Sequence, residues 1–96
     1  MELHIFARFR ARQGHSDALA TVLREQVTGV RDEPGCLQIE AHRSIRDARL
    51  FYIYSRWTDE AAFERHAALP RTAAFIERAQ SLIDHPFDVT RARLVD

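Results

Sequence analysis

Three observations predict that this 96-residue chain folds as an α+β domain of order βαββαβ, the ferredoxin-like arrangement. Residues 2–12 alternate apolar and polar side chains. Two longer stretches repeat apolar residues at helical spacing. Two further strand-like runs stand next to each other in the middle of the chain. A hairpin flanked by two helical crossovers gives a four-stranded antiparallel sheet with its helices on one face.

The elements follow in chain order. Leu3, Ile5, Ala7, Phe9 and Ala11 share one side of the first strand, opposite His4, Phe6, Arg8, Arg10 and Arg12. Gly14 breaks the run and Ser16 is the expected cap. Leu19, Val22, Leu23, Val27 and Val30 then mark an amphipathic helix to about Asp32. Glu33-Pro34-Gly35 is a breaker, and Leu37, Ile39 and Ala41 alternate with Gln38, Glu40 and His42 in a second strand. A turn centred on Asp47 joins it to a third strand, Leu50 to Trp57, rich in aromatic and β-branched residues. Thr58 is the expected N-cap of a short helix whose inner face carries Ala62, Phe63, His66 and Ala67. Pro70 suits the first turn of another helix, with Phe75, Ile76, Ala79, Leu82 and Ile83 at helical spacing. A last strand is expected over residues 87–95.

Composition narrows the function classes. With 46% hydrophobic residues and only three Gly and three Pro, residues 1–96 read as a single globular domain. Fourteen Arg balance fourteen Asp and Glu, leaving no global field for nucleic acid or an anionic membrane. Arg8, Arg10 and Arg12 of strand one could form a nucleic-acid stripe, but interstrand ion pairs with Glu2 and Glu40 across a dimer are the more economical reading. One cysteine, Cys36, allows no intrachain disulfide, and MELHIFARFR lacks a signal-peptide run, so a reducing cytoplasm is the expected compartment. Every window is interrupted by charge, so no membrane association is expected. No HxH, HExxH or CxxC pattern occurs, so no metal is expected either.

Helices cover only one face of such a sheet. The other face carries Phe6 together with either Tyr52 and Tyr54 or Phe51 and Ile53, and a second copy packed sheet against sheet would shield it as a homodimer, an α/β barrel. His66 is the most informative ionisable residue. Helical spacing puts it beside Ala62 and Phe63, and Trp57 stands just before the same helix. One reading is a proton-transferring histidine with an aromatic wall for a flat substrate. The other is a packed histidine bonded to a backbone carbonyl. Cys36, directly after Pro34-Gly35, reads as a small strand-edge residue rather than a nucleophile.

Two stretches, ARFRARQGH and VRDEPGCLQIEAHRSIRDARLFYIYSRWTDEAAFERHAALPRTAAF, resemble the antibiotic biosynthesis monooxygenase family, including its quinol monooxygenase type. The most specific matches are Glu33-Pro34-Gly35-Cys36, Trp57, Asp59 to Phe63, His66, Pro70 and Phe75. The resemblance implies a dimeric barrel that oxidises a polyphenolic substrate with molecular oxygen and no metal, flavin or haem. It implies His66 as the catalytic residue that helps deprotonate or hold the phenolic oxygen, with Trp57, Phe63, Phe75 and Phe9 shaping the substrate box. The chain departs from the family where many relatives carry a glutamate two residues before the tryptophan and this chain has Ser55. The haem-degrading branch places an asparagine in strand one and an axial histidine after Pro70. Here Ala7 and Phe75-Ile76 stand instead, so haem chemistry is not expected. The rival reading is an isomerase or ligand-binding barrel of the same fold. A phosphorylated ligand would require Arg56, Arg65 or Arg71 to converge on the pocket.

Overall fold

The computed structural model describes residues 1–95. Among them the elements run β1 (Leu3–Arg10), α1 (Ser16–Val30), β2 (Cys36–Arg43), β3 (Leu50–Trp57), α2 (Glu60–Ala67), α3 (Pro70–Gln80) and β4 (Asp88–Ala92). The strands form one antiparallel sheet in the order β2-β3-β1-β4, which is the ferredoxin-like topology the sequence predicts. Ile5, Ala7 and Phe9 of β1 and Phe51, Ile53 and Trp57 of β3 face the helices. They pack there with Leu19, Leu23 and Val27 of α1 and Phe75 and Ala79 of α3 in one core. The apolar stripe of each helix therefore meets the apolar side of the sheet, and burial of that shared surface drives the fold.

Several local details differ from the sequence reading. Asp59, not Thr58, caps α2. It sits in extended backbone and its Oδ1 accepts from Ala62 N at 2.8 Å, while Thr58 N is committed to the carbonyl of Gly35 at 2.9 Å. Residue 15 rather than Ser16 is the N-cap of α1, and it makes no side-chain cap bond. A bulge between Cys36 and Gln38 takes Leu37 out of the ladder and leaves it exposed, so the alternation read through Leu37 begins at Ile39. Ala11 joins no named strand and forms an isolated bridge with Ile83, and β4 is shorter than expected. The chain does break at Leu69-Pro70, with Pro70 opening α3.

The register settles which aromatics lie on the sheet's other side. Phe6 pairs with Tyr54 and Arg8 with Tyr52, so both tyrosines face away from the helices. Phe6 is 47% exposed and Tyr52 37%. His4 Nδ1 lies 2.7 Å from the Tyr54 hydroxyl, and Phe6 packs on the Tyr54 ring at 5.2 Å. Glu2 pairs with Arg56 at 3.0 Å within the chain. Among the described residues no helix is long and apolar enough to cross a membrane.

Candidate active site

Between the sheet and the helices lies a cavity of about 250 Å³. Ile5, Ala7 and Phe9 of β1 and Ile53 and Ser55 of β3 form its floor. Phe63 and His66 of α2, Thr72, Phe75 and Ile76 of α3, and Gln26 of α1 form its walls, and Phe87 and Val89 close the side toward β4. A wider hollow of 780 Å³ exists at the chain termini, around Met1, Glu2 and Arg93, but none of the side chains lining it is buried. The smaller space between sheet and helices is lined mainly by apolar side chains, which suits it to an apolar ligand.

Each side chain arrives there for a local reason. α1 ends at Val30, and Glu33 N donates back to the Val30 carbonyl at 2.9 Å, which turns the chain under the helix. Cys36 N then donates to the Glu33 carbonyl at 3.1 Å, and Gly35 adopts φ +86°, a left-handed conformation that suits glycine. This tight turn aims the Glu33 side chain inward, where it is only 7% exposed. The Asp59 cap starts α2 so that His66 follows Ala62 on the same face, one turn later.

A three-residue cluster results. His66 Nδ1 lies 2.8 Å from Glu33 Oε1, and Arg71 donates from Nε to Glu33 Oε2 at 3.0 Å and again from Nη2. The partner of His66 is thus a carboxylate and not the backbone carbonyl of the alternative reading. Burying an unpaired carboxylate is costly, and the guanidinium compensates it while keeping its own outer edge in solvent. Thr72 Oγ1 donates to the His66 carbonyl at 2.6 Å. The first turn of α3 therefore holds both the backbone of His66 and, through Arg71, its carboxylate partner.

Of the five site residues expected from the sequence, Phe9, Phe63, Phe75 and His66 line the cavity together. Phe9 meets Phe75 edge-on at 6.2 Å and stacks on Phe87 at 4.9 Å. Trp57 stands elsewhere. It is fully buried and does not line the cavity, but its ring lies 4.9 Å from His66 and 5.8 Å from Phe63, so it backs the histidine. Its Nε1 donates to Ser55 Oγ at 3.0 Å, which gives the serine a structural partner. Arg56, Arg65 and Arg71 do not line the cavity.

Sequence reasoning missed Glu33 and Gln26. A glutamate before Pro-Gly reads as a solvated turn residue, because isolated carboxylates are almost always exposed. The signal available was that Glu33 opens the most family-specific motif in the chain. Gln26 stands outside the apolar repeat that marks α1, so helical spacing does not single it out. Cys36 is partly buried, and that burial pushes its thiol pKa up, which suits it poorly to nucleophilic attack. Among the described residues no group of three or more His, Cys, Asp or Glu is placed to hold a metal ion.

The sequence and the fold are similar to those of known proteins. The sequence model of the antibiotic biosynthesis monooxygenase family matches residues 3–78. The solved structure of PA3566 from Pseudomonas aeruginosa is 34% identical, with a TM-score of 0.87 over 98% of this chain and 95% of that one. Rv0793 from Mycobacterium tuberculosis, 23% identical, shares the fold with a TM-score of 0.91 over 100% and 97% of the two chains. A Bacillus subtilis protein provisionally named a monooxygenase, YcnE, is 28% identical over 64 residues, 67% of each chain.

Proposed function

The chain belongs to the antibiotic biosynthesis monooxygenase family, and from that premise we propose that it is a monooxygenase that oxidises a small phenolic substrate, a quinol or anthrone, with molecular oxygen. The observation that carries this reading is an apolar cavity in which one imidazole, backed by a buried carboxylate, is the basic group. A volume of about 250 Å³ lies just below the usual range for ligand pockets, about 300 to 1,000 Å³, which favours a one- or two-ring quinol over a larger anthrone. The lack of arginine in the lining counts against a phosphorylated ligand.

The chemistry needs a base, dryness and orientation. His66 takes the phenolic proton, leaving an electron-rich phenolate. The phenolate gives one electron to O₂, the radical pair combines at a ring carbon that bears a hydrogen, and the peroxide anion takes the proton back from the His66 imidazolium to give a hydroperoxide. Loss of water from the hydroperoxide leaves a new carbonyl, so one oxygen atom enters the ring and the other departs as water. Phe9, Phe63 and Phe75 hold the ring flat, and Trp57 supports the imidazole from behind. No metal, flavin or haem takes part in this scheme, because the substrate anion is itself the reductant.

In this reading the enzyme is a homodimer working in the reducing cytoplasm. A second copy covers Phe6 and Tyr52 on the free face of the sheet, and light scattering at micromolar concentration should report twice the 11.1 kDa of one chain. The functional test is oxygen uptake with a panel of hydroquinones and anthrones, compared with buffer and with His66→Ala. Uptake above autoxidation that vanishes in the variant is expected. Equal uptake by a folded His66→Ala would overturn the assignment of the base.

A further inference from the structure

We infer that Glu33, clamped by Arg71, is a positioning residue that holds His66 in the tautomer with hydrogen on Nδ1 and presents the Nε2 lone pair to the cavity. The inference rests on the reading of His66 as the base. It adds how that base is made ready.

The hydrogen-bond inventory leads to it. An ionised carboxylate only accepts, so the 2.8 Å contact between Glu33 Oε1 and His66 requires a hydrogen on Nδ1. Arg71 fills Oε2 with two donors, from Nε and Nη2, as expected for an ionised carboxylate, and leaves Oε1 to the imidazole. In a neutral ring Nε2 then carries the lone pair. It is also the ring nitrogen with no protein partner among the described residues, on a side chain that lines the cavity.

Burial and packing make the orientation persist. The His66 and Glu33 side chains are 11% and 7% exposed, so water competes weakly for the bond. Trp57 lies against the imidazole at 4.9 Å with an interplanar angle of 33°, and Phe63 lies at 5.6 Å, so a ring flip meets aromatic walls. The charges fit the task as well. Glu33 and Arg71 cancel, so the resting imidazole faces a neutral pair. Once it has taken the substrate proton, the imidazolium has Oε1 on one side and the new phenolate on the other. Third groups that orient a histidine in this way are a general device for fixing its tautomer.

A structural clamp would show the same contacts, so the test must read the ring itself. Long-range proton–nitrogen correlation spectra of the ¹⁵N-labelled protein at about pH 8, above the ordinary titration range of histidine, report the tautomer directly. The His66 signal is identified by its loss in His66→Ala. The expected result is a single Nδ1–H tautomer in the native protein and a mixed or inverted one in Glu33→Gln. In quinol turnover, Glu33→Gln should lower kcat by at least about tenfold and change KM by less than about twofold. Adding His66→Ala to Glu33→Gln should cost nothing beyond His66→Ala alone. An Nε2–H tautomer in the native protein, or additive losses in the double variant, would overturn the inference. The tautomer is read without substrate, so it stands or falls even if no quinol proves to be oxidised. It also needs no variant of Glu33 to fold.

Discussion

Replacing Gly35 by alanine tests whether the turn that delivers Glu33 is built as described. Gly35 has φ +86°, and holding an alanine there costs about 1–2 kcal/mol. A Cβ at this position would also lie 2.5 Å from Ala62 Cβ and 3.1 Å from Thr58 Oγ1. Ordinary carbon contacts are about 3.5–4.0 Å, so α2 or the turn must move by about 1 Å, and such overpacking costs about 1–3 kcal/mol. The sum is about 2–5 kcal/mol. Gly14 is the control, with φ +84° and nothing within 4 Å of its Cβ, so Gly14→Ala should cost only the backbone part, about 1–2 kcal/mol. Urea denaturation of both variants, with the m-value unchanged, gives the comparison. Each kcal/mol should lower Tm by about 4–8 °C in a domain of this size. Ala62→Gly added to Gly35→Ala should remove the clash and show favourable coupling against its own helix penalty of about 1 kcal/mol. Ala62 lies one turn before His66, so Gly35→Ala should also depress quinol turnover more than Gly14→Ala does. Equal destabilisation by the two glycine variants would refute the close packing of this turn on α2.

Three further predictions concern individual side chains. Ser55→Ala leaves the indole N–H of fully buried Trp57 without its acceptor and should destabilise by about 1–3 kcal/mol in urea titrations; a loss under about 0.5 kcal/mol would mean the serine is not a needed partner. Gln26 lines the cavity half-buried, so Gln26→Leu should leave Tm within a few degrees of the native value while raising KM for dihydroxylated substrates; an unchanged KM would place the ligand away from α1. The hydrogen bond from His85, followed by the charge of Arg10, holds the Asp84 carboxyl below the usual carboxylate range. Its contribution is thus present above that range and lost as pH falls through the lowered value, so Asp84→Asn should flatten the acid limb of a Tm-against-pH curve, and an unchanged limb would show that Asp84 contributes nothing there.

The sequence by itself determined the order of elements and the sides they present, because strand and helix periods are local properties of the chain. The alternation in Leu3 to Arg10, the helical repeat through Val30 and the break at Pro70 each appear in the fold as read. The family resemblance pointed to Phe9, Trp57, Phe63, His66 and Phe75, and the sheet and helices bring four of these, all but Trp57, to one cavity. Tertiary structure alone decided the rest. Glu33 and His66 are 33 residues apart and Glu33 and Arg71 are 38 apart, and no local rule links a turn carboxylate to two helices. Their meeting depends on the α1–β2 turn passing under the α2–α3 corner. The same packing puts Trp57 behind His66 and outside the cavity lining, since its place in β3 aims the indole into the core against Ser55. A buried carboxylate is tolerable only where its compensating charge also arrives, and only the folded chain brings Arg71 there.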